Sequence, residues 1–271
     1  YIQHIHCKFK LKKGYIPTIQ IKNNSRFSET EYLKESGPER VHLWLTNIDL
    51  EIFKKHYHIY NVDYIEGYMF KGQKDMFKEY IDYWKEIKEN STGGLRTLSK
   101  LMLNSLYGKF AQSPNGKLKV PSFDDKCVTT MEAVEGKERE TMYTAMACFI
   151  TAYARKVTIT AFQENVDRCC YADTDSIHLI GEEVPNIKVD DNIIGYWKKE
   201  CTWQYAKFIR AKTYIEEVNG ELEVKCAGMP QNLKERVTKK NFKSGLTLGG
   251  KLVPKRCKGG VVLVETDFTI K

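Results

Sequence analysis

The sequence predicts an α+β fold, because its strands and helices fall in segregated clusters rather than in regular alternation. Strand-like alternation opens the chain (IQHIHCKFKL) and returns in its last third. Helical periodicity occupies the middle, over 75–107 and 143–166. Between these regions lies YADTDS, residues 171–176, which reads as a strand–turn–strand with two aspartates one residue apart.

Residues 1–22 read as two strands, IQHIHCKFKL and YIPTIQIK, around the turn KKG. The polar stretch NNSRFSETEYLKESGPER reads as an exposed insertion. Residues 41–70 predict a short helix near 49–58 and the strands IYNVDYI and GYMF. Phe77, Tyr80, Ile81 and Trp84 recur at i, i+3, i+4 and i+7, which predicts a helix over 75–88. Asn90 to Gly94 form a turn. A second helix follows over about 95–107, with Gly108 as its stop.

Residues 112–142 predict a protruding β-hairpin whose arms, CVTTMEAV and KERETMYT, flank Glu135-Gly136. Residues 143–166 predict a long buried helix. It has Ile150, Ala154, Val157 and Ala161 on one face, and enough small residues to pack closely under a sheet. After YADTDS come a helix near 194–202 and the hairpin FIRAKTYIEE–VNGE–LEVKCA. A helix near 231–242 and a final hairpin through Lys258-Gly259-Gly260 end the order, with no internal repeat.

The 271 residues suffice for one or two domains with a real core. No apolar run approaches the ~18–20 residues needed to cross a bilayer, so no membrane association is expected. The first residues lack the apolar core and cleavage pattern of a signal peptide, and the absent initiator Met makes the start look cut. Eight cysteines without a C-x-x-C pair argue against a zinc knuckle or disulfide framework, and predict reduced thiols in a cytoplasmic compartment. His4/His6 and His56/His58 could meet a metal on one strand face, but no acid or Cys partners stand at ligand spacing. The sequons at Asn23 and Asn90 are expected to be coincidental. A net charge of +8 suits a polyanionic partner such as nucleic acid, as it suits many inert proteins.

Two carboxylates at the tip of a strand–turn–strand form either a solvated turn or a site for something positive. Hard divalent cations take oxygen ligands and keep room for water and phosphates. The flanking strand-formers RCCY and IHLI favour a site at Asp173 and Asp175, whereas Asp124-Asp125 and Asp190-Asp191 sit in polar segments as ordinary turn acids. The second constellation is KLMLNSLYGKF. On a helix, Arg96, Lys100, Asn104 and Tyr107 step by 4, 4 and 3 and share one face. Leu95, Leu98, Met102 and Leu106 are expected to form the core stripe, with Leu103 near the polar side. Two cations, an amide and a ring suit a nucleoside triphosphate, and Lys88 stands within reach of the same charge. Such a face is also compatible with a plain solvated helix. Third, Lys212 and Tyr214 in AKTYI, two apart on a strand, suit a phosphate and a sugar or a plain sheet surface. The basic KKNFKSG and KLVPKRCKGG could grip duplex backbone or merely confer solubility.

Taken in order, these pieces resemble the protein-primed family B DNA polymerases of small tailed phages. KLMLNSLYGKF is similar to that family's nucleotide-binding motif B, YADTDS to its catalytic motif C, and AKTY to its K-x-Y motif. VKCAGM resembles the passage from palm to thumb, and the final GGVVLVETDFTIK resembles the way such chains end. The resemblance implies a C-terminal palm, fingers and thumb portion with two inserted subdomains. These would be a terminal-protein-contacting insertion over 1–75, fingers with motif B over 76–112 and a second, β-hairpin insertion over 113–142. A palm over 143–226 and a thumb over 227–271 would complete it. It implies Asp175 and Asp173 as catalytic metal ligands for two Mg²⁺ ions, with Mn²⁺ as a substitute. It implies Lys88, Arg96, Lys100, Asn104 and Tyr107 as nucleotide contacts, and Lys212 and Tyr214 as primer contacts. Partners would be primer–template DNA, dNTPs and a terminal protein, for a monomer in the host cytoplasm.

The proofreading exonuclease and motif A of that family have no counterpart here. Motif A is an Asp followed by Ser-Leu-Tyr-Pro, and Asp49 and Asp63 lack its context. Two readings therefore stand together. One is a polymerase portion adding dNTPs to a primer 3′-OH; the other is a DNA- and nucleotide-binding fragment that needs an upstream piece. A glycosyltransferase using D-x-D for Mn²⁺ would leave the motif B face unexplained. Reverse transcriptases carry adjacent acids rather than D-T-D.

Overall fold

The computed structural model describes residues 1–20, 32–112, 118–134, 143–183, 185–191, 193 and 195–271. They form two compact units. The first is Tyr1–Pro114 with Arg139–Asn186; the second is Asn115–Glu138 with Ile187–Lys271.

In the first unit, β1 (Ile2–Leu11) turns Ile5, Cys7 and Phe9 into a core and His4, His6, Lys8 and Lys10 away from it. β2 (Val41–Thr46) lies antiparallel on one side. α1 (Asn47–His56) follows β2 directly. Its N-cap Thr46 accepts from the Asp49 amide at 3.1 Å and donates to the Asp49 carboxylate at 2.8 Å. β3 (Tyr57–Tyr68) pairs with the other edge of β1, giving the order β2-β1-β3. α1 closes the inner face of this sheet, where Phe9 meets Phe53 and Tyr57 edge-on at 5.3 and 5.1 Å.

This corrects the expected opening hairpin. The described part of YIPTIQIK, residues 15–20, is not a partner strand; it contributes one bridge, Ile19 to Leu33, and Pro17 has no N–H to offer a ladder. IYNVDYI and the start of GYMF are a single strand, bent where the β1–β3 register shifts. Of the insertion expected after YIPTIQIK, residues 23–31 lie outside the described residues.

α2 (Lys78–Asn90) and α3 (Gly93–Phe110) form a helical hairpin. The Tyr80 hydroxyl donates to the Met102 carbonyl at 3.1 Å, and Phe77 meets Phe110 at 5.6 Å. Gly108 does not stop α3, which runs two residues further. The expected core stripe is also rotated. Ser99 is the buried residue of α3, with Met102, Leu103 and Leu106 half-buried beside it, while Leu95 and Leu98 are exposed.

β4 (Leu118–Phe123) and β5 (Thr129–Val134) make the expected hairpin, but one arm earlier. Its turn is Asp124–Cys127, where the Asp124 carboxylate accepts from the Lys126 and Val128 amides at 2.9 and 2.8 Å. The expected turn at Glu135-Gly136 and most of the KERETMYT arm lie outside the described residues. α4 (Thr144–Glu164) matches its expected span, but its buried residues are Ala147, Ala152 and Ala161. Ile150, Ala154 and Val157, expected inside, are exposed. Periodicity marks an apolar stripe without saying what covers it. β6 (Cys169–Asp173) and β7 (Ser176–Leu179) form the expected acidic hairpin.

In the second unit, β8 (Tyr205–Arg210), β9 (Thr213–Val218) and β10 (Glu221–Cys226) form a meander in the order β10-β9-β8. Asn219 and Gly220, both at positive φ (53° and 83°), make the two-residue β9–β10 turn. α5 (Gln231–Lys234) is a single turn, not the expected 231–242 helix. Thr238 and Asn241 bond each other's backbone amides at 2.7 and 3.2 Å and divert the chain from helix. The helix expected at 194–202 is also missing from the described residues there. Trp197 bridges to Val189, and Gly195 holds a φ of 91°. β11 (Thr247–Cys257) and β12 (Gly260–Thr269) form the expected last hairpin. Phe242, Leu248, Phe268 and Ile270 join Ile215 and Leu233 in the core of this unit. None of the eight cysteines forms a disulfide. No helix among the described residues is long and apolar enough to cross a membrane.

Tyr57 is 1% exposed, and its hydroxyl satisfies three backbone groups. It accepts from the Thr18 and Ile19 amides at 2.7 and 3.2 Å and donates to the Leu33 carbonyl at 2.9 Å. Tyr57→Phe strands these groups and is expected to cost about 1–3 kcal/mol, read from urea unfolding. A loss below ~0.5 kcal/mol would show that they find other partners.

Candidate active site

The acidic hairpin is short, and two strands alone are marginal in water. Three anchors hold it. At its base, Arg168 donates to the Ile180 carbonyl at 2.9 Å and to the Glu183 carbonyl at 3.0 Å. Asn165, 6% exposed at the end of α4, donates to the Ala161 carbonyl at 2.9 Å and accepts from the Asn186 amide at 3.1 Å. Its own carbonyl accepts from the Arg168 and Cys169 amides at 3.0 and 2.9 Å. At the tip, the Thr158 hydroxyl of α4 donates to the Thr174 carbonyl at 2.8 Å.

Asp173 pairs with Ser176 across the ladder, so Thr174 and Asp175 form a two-residue turn. Thr174 holds a φ of 46°, a strained conformation for a β-branched residue. The Asp173 carboxylate is half-buried. It accepts from the Thr174 hydroxyl at 2.9 Å and the Tyr171 hydroxyl at 3.4 Å. Asp175 is exposed at the apex. The hairpin therefore presents one oriented and one open carboxylate, an oxygen donor set suited to a hard divalent cation. Among the described residues, no group of three or more His, Cys, Asp or Glu side chains is placed to hold a metal ion. Asp49 is engaged by Arg155 of α4 through two bonds of 3.0 and 2.8 Å, and Asp63 pairs with Arg40.

α3 packs on α4, the helix that also carries the hairpin. Lys100, Asn104 and Tyr107 are exposed on one face of α3, as their spacing requires. Arg96 is turned to the end of α2, where it donates to the Lys88 carbonyl at 2.7 Å. That bond joins Arg96 and Lys88 and complements the negative end of α2. Lys212 and Tyr214 belong to the second unit. They are not alternate positions of one strand, which corrects the shared-face expectation. Lys212 sits in the β8–β9 turn at a φ of 58°, and its carbonyl accepts from the Ala227 amide at 2.9 Å. Tyr214 is on β9, with its ring 5.3 Å from Phe208.

The residues that position the site, Asn165, Thr158 and Arg168, were not singled out from the sequence. Asn165 alone carried a signal, as a helix-ending Asn just before a strand. Asp124 behaves as the turn acid expected of it. Asp190 does too, accepting from the Ile193 amide at 3.0 Å, while Asp191 pairs with Lys198 at 3.7 Å.

Residues 1–193 match the family model described as DNA polymerase type B, organellar and viral. The chain belongs to that family. It is 48% identical to the DNA polymerase of Bacillus phage phi29 and 38% identical to that of Streptococcus phage Cp-1, over its whole length in both cases. It spans about half the length of these relatives, 51% and 50%. The fold matches the phi29 DNA polymerase in complex with primer–template DNA and incoming nucleotide. The TM-score is 0.93 at 48% identity, over 100% of this chain and 51% of that one. The α+β class expected from the sequence is thus that of a type B polymerase.

Burial and the neighbouring Cys170 push the Cys169 thiol up to about 11. The folded state thus holds its proton more tightly than the unfolded chain. This stabilisation is complete below the ordinary value of 9.0 and is lost as pH rises towards 11. Iodoacetamide at pH 8 is expected to modify the exposed Cys127 well before Cys169, as read by peptide mass spectrometry. Equal rates would contradict the placement of Cys169.

Proposed function

We propose that this chain supplies the nucleotidyl-transfer portion of a protein-primed DNA polymerase. The observation that carries the reading is the acidic β6–β7 hairpin, fixed by α4 in the same unit as the cationic face of α3. Asp175 and Asp173 would hold Mg²⁺, with Mn²⁺ as a substitute. A pair of such ions supplies charge stabilisation to the attacking and leaving oxygens of phosphoryl transfer. Lys100 meets the triphosphate, while Asn104 and Tyr107 shape the nascent base pair. Lys88 gives a second phosphate contact, and Arg96 steadies it from α3. Lys212 and Tyr214 hold the primer strand. The primer 3′-oxygen bonds to the α-phosphorus as the bond to pyrophosphate breaks.

In this reading residues 1–75 contact the terminal protein and 76–112 are the fingers. Residues 113–142 form a second insertion, 143–226 the palm and 227–271 the thumb. The working protein is a monomer in the host cytoplasm. One observation favours a narrower reading as well: Asp49 and Asp63 are committed to arginines, so neither joins the two hairpin acids. The chain would then bind DNA and nucleotide but need an upstream polypeptide carrying a further carboxylate.

Primer extension tests both readings, with Mg²⁺ and four dNTPs, for the chain alone and with the upstream half of a relative added. Wherever extension occurs, Asp175→Ala should lower it at least ~100-fold, and Lys100→Ala about 10–100-fold. Primer–template binding should persist in both and weaken steeply with salt. Extension that survives Asp175→Ala would refute the proposal, as would no DNA binding at low salt. Extension only with the added half would select the narrower reading.

A further inference from the structure

The two acids of the hairpin are aimed by different means. Asp173 is oriented through its own carboxylate, which accepts from the Thr174 and Tyr171 hydroxyls at 2.9 and 3.4 Å. Asp175 is exposed at the apex, so its direction follows the backbone that carries it. That backbone is a two-residue turn in which Thr174 holds a φ of 46° and Asp175 does not share the positive sign. Turns with a positive φ at the first central residue alone ordinarily place glycine there. A β-branched threonine lacks that freedom and needs something else to hold it.

Such a turn has a ready alternative. Types I′ and II′ differ in the sign of φ at the second central residue, and rotating the peptide plane between the two central residues converts one into the other. Here that plane carries the Thr174 carbonyl and the Asp175 amide. Its rotation would change φ at Asp175 and with it the direction of the carboxylate. A hydrogen bond on the Thr174 carbonyl opposes the rotation.

Thr158 of α4 makes that bond. Its hydroxyl stands 2.8 Å from the Thr174 carbonyl, across 16 positions of sequence. The Ala154 carbonyl, one turn back on the helix, lies 3.3 Å from the same hydroxyl. A hydroxyl has one proton to donate, and the shorter contact takes it. Thr151, on the same helix, spends its hydroxyl on the Ala147 and Cys148 carbonyls of α4 itself, at 2.9 and 3.0 Å. Back-bonding of that kind is the usual outlet of a helical threonine; Thr158 reaches out of the helix instead. The helix that presents it is fixed separately, by Arg155 on Asp49 and Lys156 on Glu51.

We propose that Thr158 is a positioning residue, whose hydroxyl locks the Thr174–Asp175 peptide plane and so keeps Asp175 aimed, beside Asp173, for a divalent ion. This rests on the polymerase reading of the hairpin acids and adds to it a residue that touches neither ion nor nucleotide and acts through the turn. Loss of the hydroxyl should therefore weaken metal binding while leaving metal-free nucleotide binding alone.

The test compares Thr158→Val, which keeps the shape and loses the hydroxyl, with Thr158→Ser, which keeps the hydroxyl, in the full chain. One readout is Mn²⁺ affinity in the presence of dATP, from the paramagnetic resonance of free Mn²⁺. The other is amide hydrogen exchange over residues 171–179 without metal. Thr158→Val should speed exchange at the turn and weaken Mn²⁺ binding about 3–10-fold, with metal-free dATP affinity within about twofold of the wild type. Thr158→Ser should behave as the wild type in both readouts. The proposal is overturned if Thr158→Val matches the wild type in either readout, or if Thr158→Ser loses as much as Thr158→Val. An equal fall in metal-free dATP affinity would also overturn it. Wild-type Mn²⁺ binding that is absent, or indifferent to Asp175→Asn, contradicts the polymerase reading instead, and exchange at the turn then decides by itself whether Thr158 holds it.

Discussion

The first unit is organised by the close packing of α4. Its buried residues are alanines, so neighbouring backbones approach it without large side chains between them. Ion pairs fix α1 on one side, through Arg155 with Asp49 and Lys156 with Glu51. Gln163 reaches back to the β1 end of the sheet, accepting from the Ile16 amide and donating to the Gly14 carbonyl, both at 2.9 Å. Thr158 and Asn165 hold the acidic hairpin at tip and base. A larger residue at Ala152, which is 0% exposed, would push these elements apart together.

In the proposed reading, this arrangement would separate two jobs that phosphoryl transfer requires. Carboxylates that attract a divalent ion repel a triphosphate, and lysines that attract the triphosphate repel the ion. The first unit puts them on different elements, β6–β7 and α3, with α4 in contact with both. The strain at Thr174 belongs to the same design. A two-residue turn with positive φ brings the chain round tightly enough for Asp173 and Asp175 to stand at one apex.

Much of this was legible in the sequence because it is local. The D-T-D turn, the α3 face and the final hairpin each depend on neighbours a few residues apart. What was not legible depends on partners far along the chain. β2 was missed because VHLWLT is short and reads as a strand only once β1 is beside it. The rotation of α3 places Ser99 inside because α2 and α4 choose the face, whereas leucine spacing suggested another. Lys212 failed as a strand position because the break at Ala211-Lys212 lies inside what reads as one continuous run. The imidazole of His42 joins His4 across 38 positions of sequence, beyond any local pattern.

The central claim is that acids on β6–β7 and cations on α3 serve one metal-bound triphosphate. The most direct measurement is dNTP affinity of the chain with and without Mn²⁺, for the wild type, Asp175→Asn and Lys100→Ala. The account predicts that Mn²⁺ tightens binding in the wild type and has little effect in Asp175→Asn. Lys100→Ala should weaken binding about tenfold, near 1.4 kcal/mol, under both conditions. Metal-dependent binding left intact by Asp175→Asn, or affinity indifferent to Lys100→Ala, would contradict it.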